Sequence, residues 1–316
     1  MPNKLKEMPR NGRHFGWMLP KDDGSVDVGF QSRPFGDDLW EEYNRIVQVA
    51  PDLRPTVVDY LSLKTDYEQL SGVEAAIEGR MHSMPNQFGF GGLHLIRDYS
   101  SAQRALSNFL GAASAFRDRA LTRLSERHGK ASFQYQSLSK VTSECFDQSF
   151  AYRLLYNLRN YAQHRDSPIS LIPMNAKRDD TGAMKCIVKL ELRRDDLLSE
   201  KKLQGSVRRE LQARAEERYQ LMPLVEEYMQ CMNRLMRTII DFEADRIAEM
   251  FHYAEAVKKA CPIPEDAIPV IWDGELPGPY EEERHPTVHY FSFDELELLL
   301  RIRYSLDEPT ISQTLS

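Results

Sequence analysis

The sequence predicts a mainly α-helical protein, and three observations support that class. Apolar residues recur at spacings of three and four over two long segments, near 93–128 and 137–164. Glycine and proline follow the ends of these segments, where a helix is expected to stop. The composition is that of a globular chain, with 41% apolar and 28% charged residues. At 316 residues the chain has room for one large domain or two smaller ones.

Residues 1–90 are predicted to form an N-terminal elaboration of loop and helix. The first 35 residues are rich in Pro, Gly, Asp and Asn, which indicates loop or edge strand. Helices are expected from about Asp38 to Val49 and again after Pro55. The segment 83–92 contains a proline and three glycines and therefore breaks the helical pattern.

Residues 91–262 are predicted to form the helical core, a bundle of long antiparallel helices. Gly129 is a suitable C-cap for the first of these helices, and Pro223 is a point at which the last could be interrupted. Two extended pieces between about 168 and 192, separated by the turn signal 179–182, predict a small β-hairpin insertion. The core helices are expected at Leu93–His128, about Ser137–His164 and about Val207–Ala260.

Residues 263–316 are predicted to form an irregular, acidic C-terminal segment. From residue 265 onward there are 12 acidic and three basic residues, whereas residues 101–165 hold ten basic and four acidic ones. The net charge of −7 argues against a protein that coats nucleic acid non-specifically. A basic middle is compatible with a confined polyanion site, which the acidic tail could cover, and it is equally compatible with solvated helix faces.

Several functional classes have no support in the sequence. No run approaches the roughly 20 apolar residues of a membrane helix, and the N-terminus lacks a secretory signal. The four cysteines are far apart and have no metal-ligand spacing, so reduced thiols in a cytoplasmic protein are expected. Walker, HExxH and GxSxG motifs are absent from the sequence. We therefore expect no cofactor and no metal.

The chemistry is predicted to lie at the end of the helix that closes at His164. With a turn of 100° per residue, Arg153, Asn157 and His164 fall within about 60° of Asn160 and form a polar stripe. Asn160 is one turn from His164 and can orient its imidazole, and the helix C-terminus favours the imidazolium form. Arg159 lies on the neighbouring face.

These side chains suit cleavage of RNA by its own 2′-hydroxyl. A histidine of this kind can transfer a proton near neutral pH, and the planar fork of Arg159 fits a phosphate. Arg153 and Arg165 add positive charge on either side, and Asn157 lies in the same stripe. No metal is needed for this reaction. A solvated polar helix face is the alternative interpretation of the same pattern.

The run Arg159–His164, on a long helix within a helical domain, resembles the HEPN superfamily over residues 93–260. The signature of that family is an arginine, four to six residues and a histidine, and two such motifs commonly meet across a dimer. The resemblance implies a HEPN-like bundle and a metal-independent endoribonuclease, with a toxin or anti-phage role. By this match Arg159 binds phosphate, Asn160 is its polar neighbour and His164 transfers the proton. RNA would be the substrate, a homodimer the active form, and an antitoxin or second defence-system subunit a further partner.

Two alternatives stay open at this stage. Three other pairs have four to six residues between arginine and histidine, at Arg123–His128, Arg246–His252 and Arg284–His289, but each lacks the polar neighbour or the helix. Arg123 with His128 is a second candidate for phosphate contact. The alternative function is a non-catalytic helical dimer that binds a nucleotide, RNA or a partner protein.

Overall fold

A computed structural model describes residues 12–83, 92–164, 168–170, 172–178, 184–200, 203–261, 263–264, 266–274, 287–290 and 293–307. It confirms the mainly α-helical class. In chain order the elements are β1 (Arg13–Pro20), β2 (Val26–Pro34), α1 (Asp37–Val47), α2 (Val49–Ser83), α3 (Gly92–His128), α4 (Phe133–Gln148), α5 (Phe150–His164), β3 (Met174–Arg178), β4 (Met184–Val188), β5 (Glu191–Arg193), α6 (Arg194–Ser199), α7 (Gly205–Ala213), β6 (Arg218–Gln220), α8 (Leu221–Phe242), α9 (Ala244–Ala260), β7 (Ile268–Asp273), β8 (Thr287–Tyr290) and α10 (Phe293–Asp307).

The chain divides into two compact units. The helical unit is Pro55–Ile239, and the terminal unit combines Met1–Arg54 with Ile240–Ser316. This division differs from the boundaries expected from composition, at about 90 and 262, because segments from the two ends of the chain fold together.

The helical unit contains a pair of long antiparallel helices, α2 and α3. Helix α3 was expected in the core, whereas α2 was expected after Pro55 as part of the N-terminal elaboration. Near the start of α2, the ring of Tyr60 lies 5.7 Å from that of Phe116, near the end of α3. At the opposite end, Arg80 of α2 forms an ion pair with Asp98, near the start of α3. The order of the contacts is thus reversed along the two helices. The α3 residues Ala102, Leu106, Phe109, Leu110, Ala113 and Phe116 are fully buried.

The single helix predicted over about 137–164 is in fact two helices, α4 and α5, that meet at Ser149. The backbone of Ser149 is extended, with φ −108° and ψ 118°. Its hydroxyl accepts a hydrogen bond from the backbone N–H of Tyr152 at 2.9 Å, which caps the first turn of α5. The same hydroxyl donates to Glu227 of α8 at 2.5 Å. A serine side chain can hydrogen-bond backbone groups that a continuous helix would otherwise use. Here the contact with Glu227 favours the break between α4 and α5.

The helix predicted over about 207–260 is also divided. It consists of α7, α8 and α9, with β6 between the first two. Pro223 lies in the first turn of α8, where a proline costs no hydrogen bond, and the later break falls at Glu243. The expected β-hairpin is present as the antiparallel pair β3 and β4, and its turn at 179–182 lies outside the described residues.

The terminal unit is organised on a four-stranded antiparallel sheet with the order β2-β1-β7-β8. Gly16 is required in β1, because a Cβ there would lie 2.3 Å from the carbonyl oxygen of Gly29 on the neighbouring strand. Phe15, Tyr43 and Ile271 form its apolar core. Strand β7 is an inner strand, so the acidic C-terminal segment supplies part of this sheet.

None of the helices in the described ranges is long and apolar enough to cross a lipid bilayer.

Candidate functional site

The candidate site is built around α5, which packs against α3 and α7. Its apolar side faces the bundle interior, where Ala151, Leu154, Leu155 and Leu158 are at most 1% exposed. The described polar side chains of the predicted stripe, Arg153 and Asn157, lie on the remaining face. Because the Ser149 cap fixes where α5 begins, it also fixes the positions of these two residues on the helix.

Arg153 is fully engaged in contacts within the chain. Its guanidinium makes a two-pronged contact with Glu210 of α7, at 2.9–3.0 Å. Nη1 also donates to the carbonyl oxygens of Phe146 and Asp147, at 2.5 and 2.8 Å. These carbonyls belong to the last turn of α4, which has no helical partners for them. Arg153 therefore joins α4, α5 and α7, and its expected substrate contact stays a prediction.

Asn157 also connects α5 to the segment before α7. Its amide nitrogen donates to the carbonyl oxygen of Arg153 at 2.8 Å, and its amide oxygen accepts from the backbone N–H of Gln204 at 3.3 Å. The first half of the polar stripe is thus used for packing between helices. The substrate contact expected of Asn157 stays a prediction.

Arg159 differs from both, because among the described residues its guanidinium has only a long ion pair. Nη1 lies 3.9 Å from Oδ2 of Asp118 on α3, and the side chain is 33% exposed. Nε is buried and has no hydrogen-bond partner in the described part of the chain. Asp118 itself is 53% exposed, so water and salt screen this ion pair. Arg159 can therefore leave Asp118 for an anion at little cost.

Asp118 is shared with a second arginine, Arg117, which is not among the residues predicted for the site. Arg117 donates from Nε and Nη2 to Oδ1 of Asp118, at 2.9 and 2.7 Å. Its guanidinium lies 4.5 Å from the centre of the Tyr156 ring, a cation–π contact with α5. Burial alone would lower the pKa of Arg117, but the neighbouring Tyr152 and Asp118 groups raise it above its usual value. Arg117 is thus a permanent positive charge inside the bundle.

The apolar periodicity of α3 indicates that Arg117 is a buried residue. Leu106, Leu110, Ala113 and Ala120 occupy one helical stripe at spacings of three and four, and Arg117 stands within the same stripe. An arginine in an otherwise apolar stripe must be paired or stacked when it is buried. The phenol of Tyr152 lies on the same inner side of α5, and burial raises its pKa, although the charge of Arg117 acts in the opposite direction.

The distal part of the predicted site is only partly described. The backbone of α5 is helical through Asn160 and His164, as expected, while the side chains of these two residues and the whole of Arg165 lie outside the described residues. Beyond α5, the Tyr99 hydroxyl donates to the carbonyl oxygen of Ile169 at 2.5 Å, so the chain returns to the N-terminal part of α3.

The arginine of the second candidate pair, Arg123 with His128, is engaged within the chain. Nη2 of Arg123 forms a 2.7 Å ion pair with Asp59 of α2, and its Nη1 is 3.4 Å from the Thr56 hydroxyl. His128 is exposed in the last turn of α3. Arg123 thus connects α2 to α3, and it has less freedom than Arg159.

Within the described ranges no three His, Cys, Asp or Glu side chains are arranged to hold a metal ion. The four cysteines are free thiols, and Cys145, Cys186 and Cys231 are buried.

The fold and the site define the class of protein only as a mainly helical one with an arginine-rich face at α3 and α5. No protein-family model, curated protein or solved structure is significantly similar to the chain.

Proposed function

We propose that the helical unit is a metal-independent endoribonuclease of the HEPN type. The observation that carries this proposal is the state of Arg159. Its guanidinium is accessible and weakly paired at 3.9 Å, and its Nε has no acceptor among the described residues. It stands five positions before His164, the last residue of α5. The resemblance to HEPN proteins supports the same interpretation.

In the proposed reaction, His164 accepts the proton of an RNA 2′-hydroxyl, and the oxygen attacks the adjacent phosphorus. Arg159 stabilises the additional negative charge on the phosphoryl oxygens. The bond from phosphorus to the 5′-oxygen breaks, and that oxygen takes a proton from an imidazolium. The products are a 2′,3′-cyclic phosphate and a 5′-hydroxyl, so atoms and protons balance without a metal ion.

Helix geometry favours a site made by two copies of the chain. Five residues along an α-helix correspond to a rise of about 7.5 Å and a rotation of about 140° between Arg159 and His164. Two positions with this spacing lie on different sides of an ideal α-helix. Two α5 helices from a homodimer would supply a histidine and an arginine to each side of one phosphate. A toxin or anti-phage role, with an antitoxin or second subunit as partner, follows from the resemblance alone.

The test is cleavage of a labelled RNA in EDTA by the wild type and by His164→Ala. We expect the variant to lose about 10²- to 10⁴-fold in rate, the usual contribution of a proton-transfer group. His128→Ala is the matched control, because His128 also ends a helix five positions after an arginine. Equal rates for the wild type and His164→Ala, or a requirement for magnesium, would exclude the proposed mechanism.

The Asp118 contact favours a second candidate, a module that binds RNA or a nucleotide without turnover. A carboxylate beside Arg159 competes with a phosphate for the same guanidinium. The Asp118→Asn variant should then bind a labelled RNA severalfold more tightly at low salt, and Arg159→Ala should bind it more weakly. If affinity changes in this way while no preparation cleaves RNA, the binding module is the correct function.

A further inference from the structure

A second group of cationic side chains lies in the helical unit, at the end where α2 finishes and α3 begins. There a groove with a volume of about 550 Å³ opens to solvent, which is within the usual range for small-ligand sites. Along α3 it is about 14 residues, or 21 Å, from Asp118, so it is separate from the Arg159 site. Among the described residues, its polar lining is formed by Arg80, His94, Arg97, Asp98, Ser100, Ser101 and Arg104.

Arg97 and Arg104 are the unusual members of this lining. They are two helical turns apart on α3, with Ser101 between them on the same face. Both are exposed, and in the described part of the chain neither forms an ion pair or a side-chain hydrogen bond. Elsewhere in this unit Arg117, Arg119 and Arg123 are all paired with carboxylates. A ligand that binds Arg97 and Arg104 therefore displaces no partner among the described residues.

Arg80 provides a third positive charge from the opposite wall of the groove. It forms an ion pair with Asp98, which is only 8% exposed, while half of the Arg80 side chain faces solvent. This pair holds the guanidinium in place across the two helices. Asp98 is the single carboxylate of the described lining, so three arginines and one aspartate leave a net charge of +2 before His94 is counted. The nearby N-terminus of α3 adds a partial positive charge.

We propose that this groove binds phosphate groups. Arg97 and Arg104 would bind the phosphate directly, and the Ser101 hydroxyl lies between them on α3. Arg80 would contribute a further positive charge from α2. Guanidinium forks match phosphate oxygens in geometry and charge. The phosphate could belong to a free nucleotide or to the backbone of an RNA strand, and the two sources share this chemistry.

The test uses the full chain and two probes in a magnesium-free buffer. One probe is a fluorescein-labelled 2′-O-methyl oligouridylate, which has no free 2′-hydroxyl and cannot be cleaved by the proposed reaction. The other is ADP, measured by calorimetry. The variants are Arg97→Gln/Arg104→Gln and, as the matched control, Lys140→Gln/Arg193→Gln, which removes the same charge from exposed positions outside the groove.

We expect the groove variant to bind at least tenfold more weakly than the wild type, and the control to bind within twofold of it. For the oligonucleotide, the slope of log affinity against log salt should fall by about 0.7 for each phosphate that the variant no longer neutralises. Competition by ADP would identify a nucleotide site, and binding of the oligonucleotide alone would identify an RNA path. Equal losses of affinity in both variants, or no binding of either probe, would refute the proposal. Because this assay measures binding and the RNase assay measures cleavage, failure of this site and failure of the proposed nuclease are distinguishable.

Discussion

Replacement of Arg153 by glutamine tests whether this side chain holds α5 in place or contacts a substrate. In the structure its guanidinium makes five hydrogen bonds, three to the carboxylate of Glu210 and two to carbonyl oxygens at the end of α4. The side chains of Arg153 and Glu210 are 15% and 27% exposed. A residue so engaged has no donor left for phosphate.

The expected loss of stability is smaller than the sum of these bonds. A hydrogen bond to a charged group contributes roughly 1.5–3 kcal/mol, but bonds that share one carboxylate are not additive. Glu210 also keeps a 3.2 Å contact with Arg214, so it is not left as an isolated charge. The carbonyl oxygen of Asp147 can be rehydrated, because that residue is exposed. We therefore expect Arg153→Gln to lower the free energy of unfolding by about 2–4 kcal/mol.

Urea denaturation of Arg153→Gln, Glu210→Gln and the double variant provides the measurement. The single Glu210 variant should lose about 1–2 kcal/mol, and the pair should show a coupling energy of about 1–2 kcal/mol. Lys140→Gln is the control, since its ion pair with Glu144 is long and its side chain 78% exposed, and it should change stability by less than about 0.5 kcal/mol. If Arg153→Gln is as stable as the wild type but loses RNA binding, Arg153 contacts substrate and our structural assignment is refuted.

Three further predictions concern the helical unit. Ser149→Ala removes the cap of α5 and should cost about 1–2 kcal/mol in urea denaturation; an unchanged midpoint would show that the cap is dispensable. Gly129 has φ +81° after α3, so Gly129→Ala should lower the free energy of unfolding by about 1 kcal/mol. Gly72 lies in the middle of α2, so Gly72→Ala should raise it by about 0.5–1 kcal/mol. An added Cβ meets no neighbour at either position, and changes of the same sign in the two variants would contradict this reasoning. Burial raises the pKa of Tyr60 to about 12, and its hydroxyl donates to Asn233. The neutral form stabilises the fold below the unfolded pKa of about 10, and this stability is lost as pH rises towards 12, so Tyr60→Phe should flatten the fall of stability between pH 10 and 12 seen by circular dichroism.

The positions of the long helices were predictable because they depend on local periodicity. Helix α3 was expected from Leu93 to His128 and is found from Gly92 to His128, followed by the expected glycine cap. The break at Ser149 was not predictable in the same way. The Ser149 hydroxyl is bound by Glu227 of α8, and Arg153, which donates to the last carbonyls of α4, is held by Glu210 of α7. These two carboxylates come from other elements.

The four-stranded sheet was unpredictable for a related reason. Strand β1 pairs with β7, and the side chains of Arg13 and Asp273, which lie 260 positions apart in sequence, form an ion pair across it. A short strand has a recognisable local pattern, but its partner depends on the whole fold. The segments at both ends of the chain were therefore expected to be irregular. Because β1 pairs with β7, a truncation after about residue 264 would remove an inner strand of the sheet in the terminal unit.

The candidate site also contains one residue that local sequence predicts and others that depend on tertiary packing. Arg159 was identified from its spacing to His164, whereas Arg117 and Asp118 emerged from the packing of α3 against α5. Asp118 offers one oxygen to each arginine, but the two contacts differ in strength. Arg117 donates two bonds of 2.7–2.9 Å from a position that is 7% exposed. Among the described residues, Arg159 makes one contact with Asp118, of 3.9 Å, at the surface. Displacement of Arg117 would leave a buried charge without its carboxylate, whereas displacement of Arg159 exchanges one screened anion for another. Of these two arginines, Arg159 is therefore the one that a phosphate can recruit.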